Sequence, residues 1–205
     1  MIIFKKKVWF IPVRECWYNA KIRLPDFFLC CVYFNIQPKC ITSKFIKSFA
    51  GKTIVISLQE ATSKIFSGFS KQTKNCIRQA EKCKMEAMFD TPVASFVEFY
   101  NLFAVKKKLN RISAADFDHL NGAFQLCHVS YNGEVCAMHF YLLDKDSGQV
   151  QLFRSASRRL FDDSIEKNIV GKANKYLHCT FPYWQWRGTW SPGKDPVQLH
   201  YLLST

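Results

Sequence analysis

The sequence predicts an α/β (α+β) fold built on a mostly antiparallel sheet flanked by helices. Three observations carry that expectation. Residues 126–131 and 135–143 are apolar runs separated by Asn132-Gly133. A third apolar run, 150–153, follows the polar, Gly-terminated loop 144–148. A helical pattern over 163–178 comes directly after these strands.

Asn132 and Gly133 both tolerate φ > 0, so they form a strong two-residue hairpin turn. The three runs are therefore read as antiparallel strands joined by short turns. The Arg/Ser-rich stretch 154–159 is expected to be a loop feeding the helix. That helix carries Asp162, Asp163 and Glu166 about its start and Lys172, Lys175 and His178 in its last turn, which suits the helix dipole. A strand passing through a polar loop into a helix offers amides and partial positive charge to a phosphate-bearing ligand. The competing reading is a sheet edge packed on a helix with no ligand.

The totals bound the alternatives. The 205 residues are 48% hydrophobic and 16% aromatic, enough for a buried core in one domain or two tightly packed lobes. Nineteen Phe argue against disorder. Lys plus Arg number 29 against 16 Asp plus Glu, a net charge of +13. A field of that sign favours nucleic acid, an anionic lipid surface, or phosphate-rich cofactors and substrates. Nine Cys without a CxxC spacing read as free thiols in a reducing cytoplasm. The start, MIIFKKKVWFIPV, lacks a signal-type apolar stretch and a small-residue cleavage site, and no run reaches membrane-spanning length. The expected protein is soluble and cytoplasmic, with no integral membrane segment.

The remaining elements follow in order. Residues 8–12 suggest a first strand closed by Pro12. The aromatic segment 27–34 is a buried strand or a core helix, which periodicity does not separate. The β-branched stretch 52–58 (KTIVISL) is a strand. Residues 62–84 read as one basic amphipathic helix capped by Ser57 or Thr62, with Lys71, Lys74, Arg78 and Lys82 on one face. That face is either solvated or an anion contact. Thr91-Pro92 opens another helix, with Thr91 at the N-cap and an apolar stripe of Phe96, Phe99, Tyr100 and Phe103. Lys106-Lys107-Lys108 ends it, and Ser113 and Asp116 open a short helix over 114–120. Beyond the main helix, 181–190 (FPYWQWRGTW) reads as a strand with Gly188 at a bulge, and 197–203 as a final apolar segment.

For chemistry, alternation along 135–143 places Ala137, His139 and Tyr141 on one face. His139 is a candidate general base and Tyr141 a candidate acid for a leaving group, against the alternative of a satisfied core pair. Arg154, Arg158 and Arg159 are the best phosphate candidates, because guanidinium pairs bidentately with phosphate. Cys136 lacks a nucleophile's His–Asp partnership, and no cluster has metal-ligand spacing.

Several blocks in order carry a family likeness: SKQTKNCIRQAEK, FVEFYNLFAVKKKL, YNGEVCAMHFYLLD, VQLFRSASRR and IVGKANKYLH. Together, from about 52 to 178, the chain resembles the Fem-type branch of the GNAT (Gcn5-related N-acyltransferase) superfamily. The resemblance implies a single domain over 1–205 with a GNAT-like twisted sheet. It implies transfer of an acyl group from acyl-CoA (acetyl-CoA) to an amine of an envelope or polysaccharide precursor. The alternatives are an aminoacyl-tRNA donor, or a degenerate basic domain that binds nucleic acid or another polyanion without catalysis. It also implies a donor pyrophosphate site over 154–164, with Arg154, Ser155, Ser157, Arg158, Arg159 and Ser164. Lys74, Arg78 and Tyr100 become candidate substrate contacts. No metal is implied; a small-molecule or cell-envelope acceptor, tRNA and a second copy of the chain are the implied partners. The stretch SASRRLFDDS lacks the glycines of the family's pyrophosphate loop, and YWQWRGTW lacks its usual Asp.

Overall fold

The computed structural model describes residues 2–8, 11–17, 30–34, 53–57, 62–144, 149–162, 165–188 and 198–202. Strands β1 (Ile2–Val8) and β2 (Ile11–Trp17) form an antiparallel hairpin, and β3 (Cys30–Phe34) lies parallel to β2. The expected strand over 8–12 is thus corrected to two strands. Pro12 sits inside β2 opposite Lys7, one residue before pairing with β3 begins at Val13. Its missing N–H is tolerated where β2 has a neighbour on one side only. Of the ambiguous aromatic segment 27–34, Cys30–Phe34 is strand, and 27–29 lie outside the described residues.

The main sheet has six strands in the order β4-β9-β8-β7-β6-β5. These are β4 (Thr53–Ser57), β5 (Glu86–Met88), β6 (Phe124–Tyr131), β7 (Glu134–Asp144), β8 (Gln149–Ser157) and β9 (Gln198–Leu202). All neighbours are antiparallel except β8 and β9. Asn132 (φ 50°) and Gly133 (φ 80°) make the turn between β6 and β7 that their dipeptide dictates.

Among the described residues four helices flank the sheet: α1 (Thr62–Gly68), α2 (Lys71–Lys82), α3 (Val93–Lys107) and α4 (Lys167–Gly188). The central strand β7 is buried on both faces. Its Ala137, Tyr141 and Leu143 join Ala80, Val170, Ala173, Leu177 and Phe181 beneath α2 and α4. Its Met138, Phe140 and Leu142 join Phe96, Phe99, Tyr100 and Phe117 beneath α3. Each such large side chain contributes roughly 1.5–3 kcal/mol on burial, so two-sided coverage makes β7 the anchor of the fold.

Four further expectations are corrected. The helix over 62–84 is two helices, because Ser70 (φ −59°, ψ 153°) leaves helical geometry and its Oγ accepts the Thr73 N–H at 3.2 Å. Pro92, not Thr91, occupies the N-cap position of α3, while the Thr91 hydroxyl hydrogen-bonds His128 Nδ1 at 2.8 Å. The short helix over 114–120 is a pair of 3-10 turns, Ala114–Asp116 and Asp118–Leu120, the first closed by the Ser113–Asp116 capping box. The loop over 154–159 is strand as far as Ser157, then a 3-10 turn, Arg158–Leu160. Pairing with β7 overrides the weak strand preference of the Arg/Ser sequence.

The last correction matters most for the site. The main helix starts at Lys167, after the acidic residues assigned to its first turn, and continues to Gly188 through much of the segment expected to be a strand. Leu177 and Phe181, four apart, are both fully buried, and the Phe181 ring stacks on Tyr141 with centroids 3.6 Å apart and 12° between planes. That contact carries the helix past 178 despite Pro182, which lacks an N–H for the ladder.

Candidate functional site: a cationic cleft beside a splayed strand

Strand β8 follows β7 along its length, with one irregularity. Phe140 pairs with Arg154 and Tyr141 with Leu152, so Phe153 is an extra residue and β8 carries a bulge there. On its other side, among the described residues, β8 pairs with β9 at Gln149, Val150 and Gln151. A bulge bends its strand and raises local twist, and here it coincides with the point where the parallel partner is lost. From 152 to 157, the edge of β8 turned away from β7 has no strand partner among the described residues.

The turn Arg158–Leu160 and the start of α4 follow at this end of β8. Here a cleft of about 420 Å³ opens, lined by Gln72 and Cys76 from α2, Arg159 from the turn, and Lys167, Asn168, Gly171, Lys172 and Lys175 from α4. Four cations line it and no carboxylate does. Lys175 Nζ donates to Cys76 Sγ at 3.6 Å across the α2–α4 boundary. The first turn of α4 has no acidic residue. Cations at the positive end of a helix oppose the dipole, and a bound anion relieves both.

The residues expected to hold a phosphate separate into different places. Arg159 lines the cleft. Ser155 and Ser157 lie on β8 in register with His139 and Ala137, both partly buried. Arg158 is committed elsewhere: its Nε donates to the Val135 carbonyl, and Nη1 to Glu134 and Asp162, each at 2.7 Å. It ties the turn to the start of β7. Arg154 crosses to the α3 face, where Nη1 donates to the Tyr100 hydroxyl at 2.7 Å and the guanidinium stands 5.1 Å from the Tyr100 and Phe153 ring centres. Ser164 lies outside the described residues.

The expected substrate contacts are equally dispersed. Lys74 Nζ donates to the Ser67 carbonyl at 2.7 Å, and Arg78 stands 5.9 Å from the Phe66 ring centre, so both brace α1 against α2. Tyr100 is buried as the partner of Arg154.

His139 and Tyr141 share a face of β7, and both are fully buried. His139 Nε2 lies 2.8 Å from Asn174 Oδ1, an acceptor, so Nε2 donates; Nδ1, 3.0 Å from the Tyr141 oxygen, then accepts the phenol proton. The His178 ring lies 4.2 Å from that of His139, centre to centre. Burial, then the neighbouring His178, hold His139 well below the ordinary imidazole range, against the opposing pull of Asn174. Burial lowers His178 to about 4. Both rings are therefore neutral near pH 7, and neither His139 nitrogen faces an open path. Burial pushes the Cys136 thiol up, the reverse of an activated nucleophile.

Gln72, Cys76, Lys167, Asn168, Gly171, Lys172 and Lys175 were not singled out as ligand contacts from sequence. For the three lysines a signal is present, as basic positions along one helix. With the helix end set ten residues early, Lys172 and Lys175 looked like dipole-complementing charges at a C-terminus. They belong to its first half.

No family model matches the chain, and no curated protein matches it. Solved structures do. The crystal structure of FemX superposes with a TM-score of 0.57 at 8% identity, over 74% of this chain and 52% of that one. The C-terminal domain of a putative lysylphosphatidylglycerol synthetase from Agrobacterium fabrum gives 0.61 at 7% identity, over 98% and 67%. L-PGS from Bacillus licheniformis gives 0.54 at 10% identity, over 98% and 67%. The chain spans about half the length of FemX and about two thirds of the other two. At such identities the likeness is one of fold: the chain folds like FemX and the two lysylphosphatidylglycerol synthetase structures. Among the described residues no helix is long and apolar enough to cross a membrane.

Proposed function

We propose that the chain is a transferase of the GNAT/Fem kind, moving an acyl group from acyl-CoA to an amine of an envelope or polysaccharide precursor. The observation that supports it best is the meeting of two features at one end of β8. A cleft lined by Arg159, Lys167, Lys172 and Lys175 lies at the start of α4, and β8 parts from β9 after Gln151. In this reading the cleft takes the carrier's phosphates, and its thioester arm enters the gap.

Acyl transfer needs a neutral amine, stabilisation of the carbonyl oxygen as it gains charge, and a thiolate able to leave. The N–H groups of β8 that point into the gap are the donors for that oxygen. They sit on a strand fixed by β7, so little reorganisation accompanies the charge. The cleft's cations hold the carrier's phosphates throughout; as the C–N bond forms and the C–S bond breaks, the proton the amine loses passes to the departing thiolate, giving amide and free thiol. His139, Tyr141 and Asn174 act in this reading as positioning groups: their closed hydrogen-bond chain sets β7 against α4 behind Ser155.

A second reading, an aminoacyl-tRNA donor, is favoured by the +13 net charge. Titration calorimetry separates the two. CoA should bind the full chain, and Lys172→Glu with Lys175→Glu should weaken it at least about tenfold, each charge reversal acting on a phosphate contact. Charged tRNA binding in place of CoA, lost in the same variant with a steep salt dependence, would move the donor to tRNA. Unaltered affinity of the variant for both carriers removes the cleft from the reaction. Tight binding of either without acyl transfer to any amine would leave a non-catalytic polyanion-binding domain.

A further inference from the structure

Helix α3 has two apolar sides. One, with Phe96, Phe99, Tyr100 and Ala104, is spent on the sheet. The other is exposed: Leu102, Val105 and Leu109 keep 51%, 50% and 49% of their surface in contact with solvent. Leu102 and Val105 stand one helical turn apart. Lys108 (φ 55°) then reverses the chain, and the Leu109 N–H returns to the Ala104 carbonyl at 2.9 Å, pinning Leu109 to the last turn. Exposed hydrophobic residues scattered singly need no explanation, but three within eight residues at one helix end do. Lys106, Lys107, Lys108 and Arg111 are exposed around them, and no acidic residue lies from 102 to 111. Glu98 bounds the patch one turn earlier, and Asp116 is held in its capping box.

We propose that this corner docks on the surface of a bilayer containing anionic phospholipid. The charge pattern selects that occupant. A second copy of the chain docking through the same corner would bring four cations against four. Nucleic acid would pair the cations but leave the leucines wet. A bilayer takes both: leucines at the acyl boundary, and lysine stems lying along apolar surface with their ammonium groups among the phosphates. The corner lies on the α3 face of the sheet, opposite the cleft between α2 and α4, so this inference does not rest on the carrier reading.

Sedimentation of the full chain with vesicles tests it. Binding is expected to phosphatidylcholine vesicles containing about one third phosphatidylglycerol, and to fall in about 0.5 M NaCl. Because +13 alone attracts any anionic surface, the apolar pair decides. Leu102→Ser with Leu109→Ser should lower partitioning roughly tenfold with an unchanged circular dichroism spectrum. Val105→Trp, read with lipids brominated along the acyl chain, should be quenched on binding. Equal partitioning of the serine variant, equal binding to pure phosphatidylcholine, or an unquenched Trp overturns the proposal. So does self-association seen by light scattering that the serine variant abolishes, which would assign the patch to a second copy.

Discussion

A single pair of imidazoles shows what one residue can and cannot reveal. Alternation along the strand correctly set His139 and Tyr141 on one face. It could not show that Asn174, 35 residues later, saturates the ring, or that His178 packs on it at 4.2 Å. Pairing across such a distance is a property of the fold rather than of a pattern. The two rings also make stability depend on pH. Both have folded pKa values below the ordinary 6.5, that of His178 at about 4. As pH falls through 6.5 the unfolded chain takes up protons that the folded chain refuses. Stability is therefore complete above that value and is lost as pH drops towards 4, by at most about 1.4 kcal/mol per pH unit for each ring. Melting temperatures measured from pH 7 down to about 4.5 should fall steadily. His178→Phe should flatten the profile, and an unchanged slope would show that His178 does not supply it.

Elements were legible where local chemistry and packing agreed. The Asn132-Gly133 hairpin and β4 are examples. They were illegible where apolar periodicity ran through a boundary. Ile65, Phe69, Cys76, Ile77 and Ala80 stay in helical phase across Ser70, so the pattern continues while the backbone does not. The reverse occurred at 181–188, where dense aromatics mimicked a strand and only the stack of Phe181 on Tyr141 decides for helix. If Ser70 is what separates α1 from α2, its oxygen has measurable worth. Ser70→Ala should cost about 1 kcal/mol, lowering the melting temperature by roughly 2–4 °C. Ser70→Asp, which restores an acceptor beside the Thr73 N–H, should recover most of it. Loss with Asp equal to that with Ala would mean the break is set by packing instead.

At the scale of the whole molecule, net charge favours an anionic partner without saying where one would bind. The cleft draws on residues from 72 to 175, and only the docking of α2 against α4 brings them together. The same holds for the gap, the edge of β8 that lacks a strand partner among the described residues, where a bulge at Phe153 and the end of β9 pairing at Gln151 fall side by side. Hydrogen exchange reads this arrangement directly. Amides over 136–143, buried on both faces in the middle of the sheet, should exchange only through global opening. Over 152–157, alternate amides pair with β7 and the others point into the gap. The gap-facing set should exchange about a hundredfold faster or more in the free chain, since no ladder bond must break first. Saturating carrier should slow that set selectively, because a ligand that covers those N–H groups raises the free energy of opening by RT ln(1 + [L]/Kd). Should the gap-facing amides already match the central strand without ligand, the two strands are closed against each other in solution. A carrier would then have no main-chain donors to meet, whatever its phosphates do in the cleft.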